Sequence, residues 1–390
     1  ADRPSVQKFS SSGQFQWTLG NSWQPYAFNG IRGLSHDSSG NVYVTEAFNH
    51  RIVKLDSSGN TIATFGTRGH GPGEFYFPEG VAVAKDGSIY VADTINHRIQ
   101  KLDDSGQYKL AWGSLGSGES EFRFPKGIAL DDNGNVYVAD TENHRIQKFT
   151  PQGVFLSMWG GPRPLSEFRG QAYSRGPDYD NANTRYMGHD GQVKNPTTYE
   201  ELRSSVLGDE KVFTNAEGYL WYPRALAIDS AGNVYVADAG HGMVQKFTHD
   251  GKLVDQAAEY RMGTGGPKSK LSNRADGHTV TIDNKGHLYT SGARLDYNSN
   301  REAKSSYISK FVPGDIADAN DELPVYSTLE AQYSIGPKSS VTGLTITDSG
   351  DIYAAVSSSE DYPVDRPAAY RIDNGLYKVV YLGFQYSTIM

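Results

Sequence analysis

The side chains of this chain that could do acid–base or metal chemistry recur at a fixed spacing. His50, His97 and His144 each follow an acidic residue by four positions and precede an arginine. The acidic residues at this position are Glu46, Asp93, Asp140 and, in a fourth segment without the histidine, Asp238. A residue that serves every repeat alike is better explained by a structural role. We therefore interpret the carboxylates as ion-paired or turn-capping groups and the histidines as packing and hydrogen-bonding groups.

A catalytic zinc site would need three neutral imidazoles that converge on one point. Outside the repeated histidines, His278 precedes the first apolar run of one repeat, His36 ends that of another, and His189 lies between repeats. His278 and His36 do not make a trio without His189. The chain has no cysteine, which excludes a thiolate metal site and a cysteine nucleophile. It also contains neither a GxSxG nor an HExxH motif.

A long polar segment between the third and fourth repeats offers other ligands. It contains the sequence DYDNAN, whose oxygen-bearing side chains are of the kind that calcium prefers. The candidate calcium ligands are Asp178, Asp180, Asn181 and Asn183. A solvated loop is the alternative, because the glycine and the bidentate glutamate of a regular calcium loop are missing. The segment is also rich in tyrosine, which suits recognition surfaces, and the candidate binding residues there are Tyr173, Tyr179, Tyr186 and Tyr199.

The elements that position all these residues are short strands. Residues 77–113 and 124–160 repeat each other closely, and residues 30–66 carry a third copy, at a spacing of about 47 residues. Such a period indicates a repeat architecture. Each unit holds short alternating apolar runs separated by turn signals such as DDNG, which predicts four antiparallel strands. We therefore expect an all-β propeller whose innermost strands surround a central channel.

The repeated sequence YVADTxNHRIQKF resembles the NHL repeat. The match is close in the three units with His50, His97 and His144, whereas a fourth unit has Gly242 and Met243 in place of histidine and arginine. The resemblance implies an NHL-type β-propeller of four-stranded blades. Counting inner strand pairs gives six blades, but counting outer hairpins gives seven, because both ends of the chain carry one. We expect six to seven blades and favour six full blades plus an irregular seventh element, with a plain six-bladed ring as the alternative.

The chain is expected to form a single domain over residues 1–390, with a long insertion at 161–221. Shorter insertions lie at 293–306 and 357–367. In a blade of alternating strands, the connection into the first strand and the loop between the second and third strands lie on the same face. All three insertions are therefore predicted on one face. Long loops on a rigid frame are where binding concentrates.

One position, just before the first strand of each blade, changes its charge from blade to blade. It holds Arg32, Glu79, Lys126, Arg224, His278 and Thr342, which we call the mouth ring. These residues are predicted to surround the channel mouth on the insertion-bearing face. The guanidinium and ammonium groups could recognise an acidic or mixed-charge partner. The alternative is an ordinary solvated rim.

The composition is that of a mildly acidic protein. Its 45 aspartates and glutamates exceed its 37 lysines and arginines, for a formal charge of -8, so there is no global basic field for nucleic acid. No apolar run approaches the roughly 20 residues that span a bilayer. The start ADRPSV, without methionine, is expected if a signal peptide has been removed, and we therefore expect a periplasmic or extracellular protein.

These features favour a binding or scaffold module with a protein partner on the insertion-bearing face and no catalytic site in this chain. One version is a non-catalytic subunit of a periplasmic multi-subunit enzyme, of the hydrazine synthase type. A carbohydrate or small-molecule binder at the channel mouth is one alternative. Another is a metal-dependent lyase or hydrolase, since NHL-type propellers include the zinc lyase that cleaves peptidyl-hydroxyglycine. No cofactor is assigned, and calcium is the one candidate.

Overall fold

The structure is a computed structural model that describes most of the chain. The described residues are 4–20, 28–161, 186–187, 193–194, 218–239, 243–259, 273–274, 279–295, 303–311, 329–336, 339–358, 370–373 and 376–379. Backbone contacts divide the chain into two compact units, one of residues 1–161 and 215–359 and the other of residues 162–214 and 360–390. The first unit is the propeller. The expectation of a single domain over the whole chain stays a prediction.

The described elements are almost all β-strands. In the first half of the chain they are β1 (Ser5–Phe9), β2 (Phe15–Leu19), β3 (Ile31–His36), β4 (Val42–Glu46), β5 (Arg51–Leu55), β6 (Thr61–Phe65), β7 (Thr67–Arg68), β8 (Glu74–Phe75), β9 (Pro78–Val83), β10 (Ile89–Asp93), β11 (Arg98–Leu102), β12 (Tyr108–Trp112), β13 (Ser114–Leu115), β14 (Glu121–Phe122), β15 (Pro125–Leu130), β16 (Val136–Asp140), β17 (Arg145–Phe149) and β18 (Phe155–Gly160). In the second half they are β19 (Tyr186–Met187), β20 (Val193–Lys194), β21 (Pro223–Ile228), β22 (Val234–Asp238), β23 (Met243–Phe247), β24 (Leu253–Glu259), β25 (Asn273–Arg274), β26 (Val280–Ile282), β27 (Leu288–Leu295), β28 (Ala303–Phe311), β29 (Leu329–Gly336), β30 (Ser339–Ile346), β31 (Ile352–Ser358), β32 (Tyr370–Asp373) and β33 (Leu376–Val379). One-turn 3₁₀ helices at Ala47–Asn49, Thr94–Asn96 and Thr141–Asn143 join the second strand to the third in blades 1 to 3.

Six antiparallel sheets form the blades in the described part of the first unit. Blades 1 to 4 each take four consecutive strands: β3–β6, β9–β12, β15–β18 and β21–β24. Blade 5 consists of β26–β29, with β25 added along β27. Blade 6 combines the inner strands β30 and β31 with β1 and β2 from the beginning of the chain, so that β1 pairs with β31 from Ser5↔Val356 to Phe9↔Ile352.

The expectation of a seventh element is wrong, and the propeller has six blades. Both terminal hairpins have the sequence of an outer hairpin, but the N-terminal one occupies the edge of β31. The C-terminal pair, β32 and β33, forms a ladder only with itself among the described residues. Closing a propeller requires one outer hairpin per inner pair, because a blade without its outer strands would leave an open sheet edge. The sequence does not show which terminus supplies that hairpin.

The hydrophobic core of the propeller lies between the blades. Six clusters of buried side chains are found in the described residues, one at each junction between neighbouring blades. Between blades 2 and 3, Tyr90 and Ile99 pack with Phe122 and Phe149. Fully burying a side chain of this size contributes roughly 1.5–3 kcal/mol. Each blade is therefore stable only between its neighbours, and the whole ring is the folding unit.

Candidate functional site

Each innermost strand begins in direct contact with the backbone of the next blade. A Cβ atom built on the glycine after a ring residue would lie 2.4 Å from Glu79 O at Gly33, 2.1 Å from Lys126 O at Gly80, 2.5 Å from Arg224 O at Gly127 and 2.4 Å from Arg32 O at Gly343. No side chain fits at such distances, which is why these positions are glycine. The contacts also order the mouth ring around the axis: Thr342, Arg32, Glu79, Lys126 and Arg224 follow one another.

The five described members of the mouth ring are all partly buried, and several contact each other or the wall. Lys126 Nζ lies 3.2 Å from Glu79 Oε1, and the two side chains are 22% and 19% exposed. Thr342 Oγ1 donates a hydrogen bond to Ile31 O at 2.9 Å. The Arg32 guanidinium stacks 5.7 Å from the centre of the Phe48 ring. The sixth member, His278, lies outside the described residues.

The base of the long insertion is on the same face as the mouth ring. Gly161 N donates to His144 O at 2.7 Å, and Leu220 N donates to Gly161 O at 3.0 Å, so the chain leaves blade 3 and returns at one point. The shorter connections 66–77 and 113–124 run through the corresponding places in blades 2 and 3. We call this end of the propeller the mouth face. The insertion at 293–306 partly lengthens β27 and β28, which pair as far as Leu295↔Ala303.

The repeated carboxylates are structural, as the sequence predicts. Asp140 is fully buried and accepts four hydrogen bonds, from Arg123 N at 2.7 Å, Asn143 Nδ2 at 2.9 Å, Arg145 Nε at 2.7 Å and Gln147 Nε2 at 3.0 Å. Asp93 has the same set of donors in blade 2. Glu46 is buried in blade 1 and pairs with Arg51. Each carboxylate therefore joins a connection, a 3₁₀ turn and the third strand of its blade.

The repeated histidines bind one blade to the next. The Nδ1 atoms of His50, His97 and His144 each accept a hydrogen bond at 3.1 Å from a backbone N–H of the following blade. The donors are the amides of Phe77, Phe124 and Tyr222. All three histidines have positive φ, between 53° and 58°, a conformation that costs most residues free energy. The interpretation of these residues as hydrogen-bonding elements is confirmed.

This bond predicts an acid-sensitive contact at His97. Burial, and then the nearby Arg123 guanidinium, lower the pKa of His97 to about 4, whereas the unfolded chain takes up the proton near pH 6.5. The His97 contribution to stability is therefore complete above about pH 6.5 and is lost as the pH falls towards 4. The loss is roughly 3 kcal/mol at most, less where solvent reaches the ring. Urea unfolding at stepped pH measures it.

His97→Asn is the matched variant, because asparagine tolerates positive φ and its side-chain oxygen can accept the same hydrogen bond without titrating. We expect this variant to lose the slope of stability against pH between 6.5 and 4 that His97 contributes. An unchanged slope would show that the contact is insensitive to protonation. Carboxylates with lowered pKa values, such as Asp37, act mainly below this window. Burial also lowers the pKa values of His36 and His50, but these residues contribute alike to the parent protein and the variant.

Several predicted site residues lie outside the part of the chain that the structure describes. These are the calcium candidates Asp178, Asp180, Asn181 and Asn183, the tyrosines Tyr173, Tyr179 and Tyr199, and His189. Tyr186 lies in β19, but its side chain is not described. Among the described residues, no group of three or more histidines or acids could hold a metal ion. His36 hydrogen-bonds through Nδ1 to Thr345 Oγ1 at 2.9 Å.

The mouth face carries a second feature, to which the repeated sequence pattern does not point. A row of rings at the junction of blades 1 and 2 lies between Arg68 and the mouth ring residue Arg32. We call it the rim cluster, and it consists of Phe48, His50, Arg68, His70, Tyr76 and Phe77. Phe48 packs edge-on against Phe77 at 5.0 Å, and His50 stacks on Tyr76 at 5.2 Å. The Arg68 guanidinium lies 5.2 Å from the centre of the Tyr76 ring. Aligning connections 66–77 and 113–124 would have revealed it, since they share glycines and Glu-Phe but differ at Arg68, His70 and Tyr76.

None of the described helices has both the length and the apolar character needed to cross a membrane. No curated protein matches the sequence. Similar solved structures include a streptogramin B lyase, at 16% identity over 91% of this chain and 96% of that one, with a TM-score of 0.48. Hydrazine synthase of Kuenenia stuttgartiensis is 11% identical over 85% of this chain and 75% of that one, with a TM-score of 0.45. A gluconolactonase of Xanthomonas campestris is 12% identical over 84% of this chain and 86% of that one, with a TM-score of 0.44.

The sequence matches the model of the NHL repeat at three places. The matched residues are 75–102, 122–149 and 220–247. Each match runs from the end of a connection to the end of a third strand, and so includes the buried carboxylate and, in blades 2 and 3, its arginine. The chain thus carries three NHL repeats at these positions, within a β-propeller of six antiparallel sheets.

Proposed function

We propose that this protein is a non-catalytic binding module that holds a protein partner on its mouth face. The observation that carries this proposal is how the polar residues divide. The side chains that repeat in each blade, such as Asp140 and His97, are spent on hydrogen bonds within and between blades. The side chains that differ from blade to blade collect on the mouth face, in the mouth ring and the rim cluster. Recognition sites are expected where variable side chains lie on a rigid, repeated framework.

The mouth ring favours an acidic or mixed-charge partner. Glu79 and Lys126 form an ion pair across 3.2 Å, and the described ring also presents the guanidinium groups of Arg32 and Arg224. Arginines are well suited to carboxylates because the guanidinium offers paired donors in a fixed plane. We further propose, more specifically, that this binding module is an exported subunit of a multi-subunit enzyme. A small-molecule ligand at the channel mouth is the rival.

The test changes the ring and measures the assembly. Replacing Arg32, Lys126 and Arg224 together with glutamine is expected to weaken partner binding at least tenfold, while the unfolding temperature changes little. Native mass spectrometry of the protein purified from its own source detects the complex. A bound mass below about one kilodalton would instead favour the small-molecule ligand. A clean monomer from the native source contradicts the proposal.

The matched control removes three positive charges elsewhere on the propeller. Lys85 and Lys285 lie in turns between first and second strands, at the end opposite the mouth face, and Lys109 lies on an outer strand. The side chains of Lys85 and Lys109 are 82% and 50% exposed. Glutamine at these three positions should leave the complex intact. If the control weakens the complex as much as the ring variant does, net charge and not the mouth face governs assembly. If the ring variant unfolds, the ring is a structural element.

A further inference from the structure

We infer that the rim cluster binds an acidic segment of the partner, with a carboxylate held by Arg68 and His70 and a neighbouring apolar side chain resting on the adjacent rings. This inference rests on the proposed function, because it names the chemistry that the mouth face recognises. It goes beyond the mouth ring, since Arg68 and His70 belong to the connection into blade 2. The cluster is continuous with the ring, because Arg32 stacks on Phe48 and Phe48 packs on Phe77.

Arg68 is held in place but is not used by the fold. Its guanidinium lies over Tyr76, with Nη2 3.5 Å from the phenol oxygen. Within the described residues it forms no ion pair, and it is exposed. The nearby carboxylates are otherwise engaged: Glu74 Oε2 accepts from Gly71 N at 2.9 Å, and Asp93 is fully buried with Arg98. A guanidinium positioned on an aromatic face loses little side-chain entropy when it binds a carboxylate.

His70 contacts the same aromatic ring as Arg68, since its imidazole lies 5.7 Å from the Tyr76 ring. Its Nδ1 lies 2.6 Å from Asn96 Oδ1, and the Asn96 amide nitrogen already donates to Gly69 O and to Asp93 Oδ2. Asn96 Oδ1 must therefore accept, so His70 Nδ1 carries the proton of this bond. That leaves Nε2 of an exposed imidazole for another partner. In its imidazolium form His70 carries a proton on Nε2 as well, and that N–H can donate to a carboxylate oxygen.

The backbone that carries these side chains is rigid. Strands β7 and β8 pair in parallel, and Gly69 N donates to Phe75 O at 3.0 Å. Arg98 donates to Gly71 O at 2.8 Å and to Glu74 O at 3.0 Å. Such a loop presents its ligand-binding groups without an ordering cost at the moment of binding.

The corresponding connection in blade 3 shows that the charges are not needed for folding. Strands β13 and β14 pair in the same way, Gly116 N donates to Phe122 O at 3.2 Å, and Asn143 holds Gly116 O at 2.8 Å. At the positions of Arg68, His70 and Tyr76 this connection carries Leu115, Ser117 and Arg123. One backbone thus tolerates both sets of side chains. The blade 3 residues therefore provide substitutions that are compatible with this loop backbone.

The experiment uses the full chain and two synthetic peptides. One is acetyl-Gly-Glu-Phe-Glu-Gly-amide, and the other has both glutamates replaced by glutamine. Calorimetric titration in low salt is expected to show the acidic peptide binding about tenfold more tightly than its amide twin. The double variant Arg68→Leu with His70→Ser should lose that preference, whereas Leu115→Ala with Ser117→Ala in the sister loop should keep it. The preference should also shrink in 0.2 M salt.

Three results overturn the inference: equal affinity for the two peptides, no binding of either, or a preference that survives in the Arg68→Leu, His70→Ser variant. Tighter binding of a ten-residue oligothymidylate than of the acidic peptide would assign the cluster to phosphates instead. The native complex separates this failure from that of the proposed function. If the mouth ring variant disrupts the complex and the rim variant does not, only the present inference fails. If neither does, both fail.

Discussion

Replacing Asp140 with alanine is expected to lower the free energy of unfolding by about 3–5 kcal/mol, one of the two largest effects foreseen for a single substitution in this chain. The carboxylate is fully buried and satisfies four donors. Its loss would leave the Arg145 guanidinium buried without its counter-charge. The remaining acceptors of that guanidinium are carbonyl oxygens such as Gly118 O at 2.7 Å and Glu121 O at 3.0 Å. Urea unfolding measures the change.

The same pair shows why removal is costly although the pair itself need not be stabilising. Burial raises the pKa of Asp140, and the hydrogen bonds from Arg123 N, Asn143 and Arg145 oppose that rise. Much of the Coulombic attraction between Asp140 and Arg145 is therefore offset by the free-energy cost of removing both groups from water. The double variant Asp140→Leu with Arg145→Leu should then lose less stability than the two single variants added together. A strictly additive result would contradict this coupling.

An exposed ion pair is the control for Asp140. Asp132 and Lys85 lie 2.8 Å apart with side chains 68% and 82% exposed, and such pairs contribute little because water screens them. We expect Asp132→Ala to change the free energy of unfolding by less than about 0.5 kcal/mol. If Asp140→Ala is as mild as Asp132→Ala, the carboxylate does not bind the blade together.

Gly80→Ala is expected to destabilise the propeller by about 3 kcal/mol or more, in the upper range for overpacking. The new Cβ would lie 2.1 Å from Lys126 O, 3.1 Å from Ile128 Cγ2 and 3.2 Å from Ile128 N. Two of these three atoms belong to the backbone of the next blade, so no side chain can rotate away. The blades could accommodate the methyl group only by moving apart along the innermost strands. Thermal unfolding should show the loss.

Gly40→Ala separates this collision from an ordinary glycine effect. Gly40 has φ of 78° and nothing within 4 Å of the added Cβ, so the substitution costs only the unfavourable backbone conformation, about 1 kcal/mol. Gly80→Ala should therefore be clearly the more damaging of the two. Equal losses would mean that the inner strands can separate without penalty.

Much of the fold could be predicted from sequence because the local signals agree. Turns such as DDNG, the alternating strands and the repeated Asp–His–Arg pattern each specify structure within about ten residues, and the interpretation of Asp140 and His97 is confirmed. The number of blades could not be predicted, because it depends on which of two similar hairpins reaches β31. Pairing between Phe9 and Ile352 leaves no local trace. Long-range choices of this kind are decided by closure of the whole ring.

The candidate site was predicted less completely. Aligning the repeats found the mouth ring because every member precedes the turn glycine of its blade by the same distance. It did not reveal the ion pair between Glu79 and Lys126, since neighbours around the axis are 47 positions apart in the chain. It also missed Arg68 on Tyr76, because a lone arginine in a glycine-rich connection looks like a solvated charge. The predictions for residues 161–221 stay predictions.

The pairing of β1 with β31 also sets an order of assembly. During synthesis the hairpin β1–β2 emerges before the blades that separate it from β31, the strand it must join. At roughly 5–20 residues per second, that wait is on the order of tens of seconds. For all that time β1 carries apolar side chains, such as Val6 and Phe9, that only the finished ring can cover. The last step of folding is thus the meeting of the two ends of the propeller, and a nascent chain would need protection from aggregation until then.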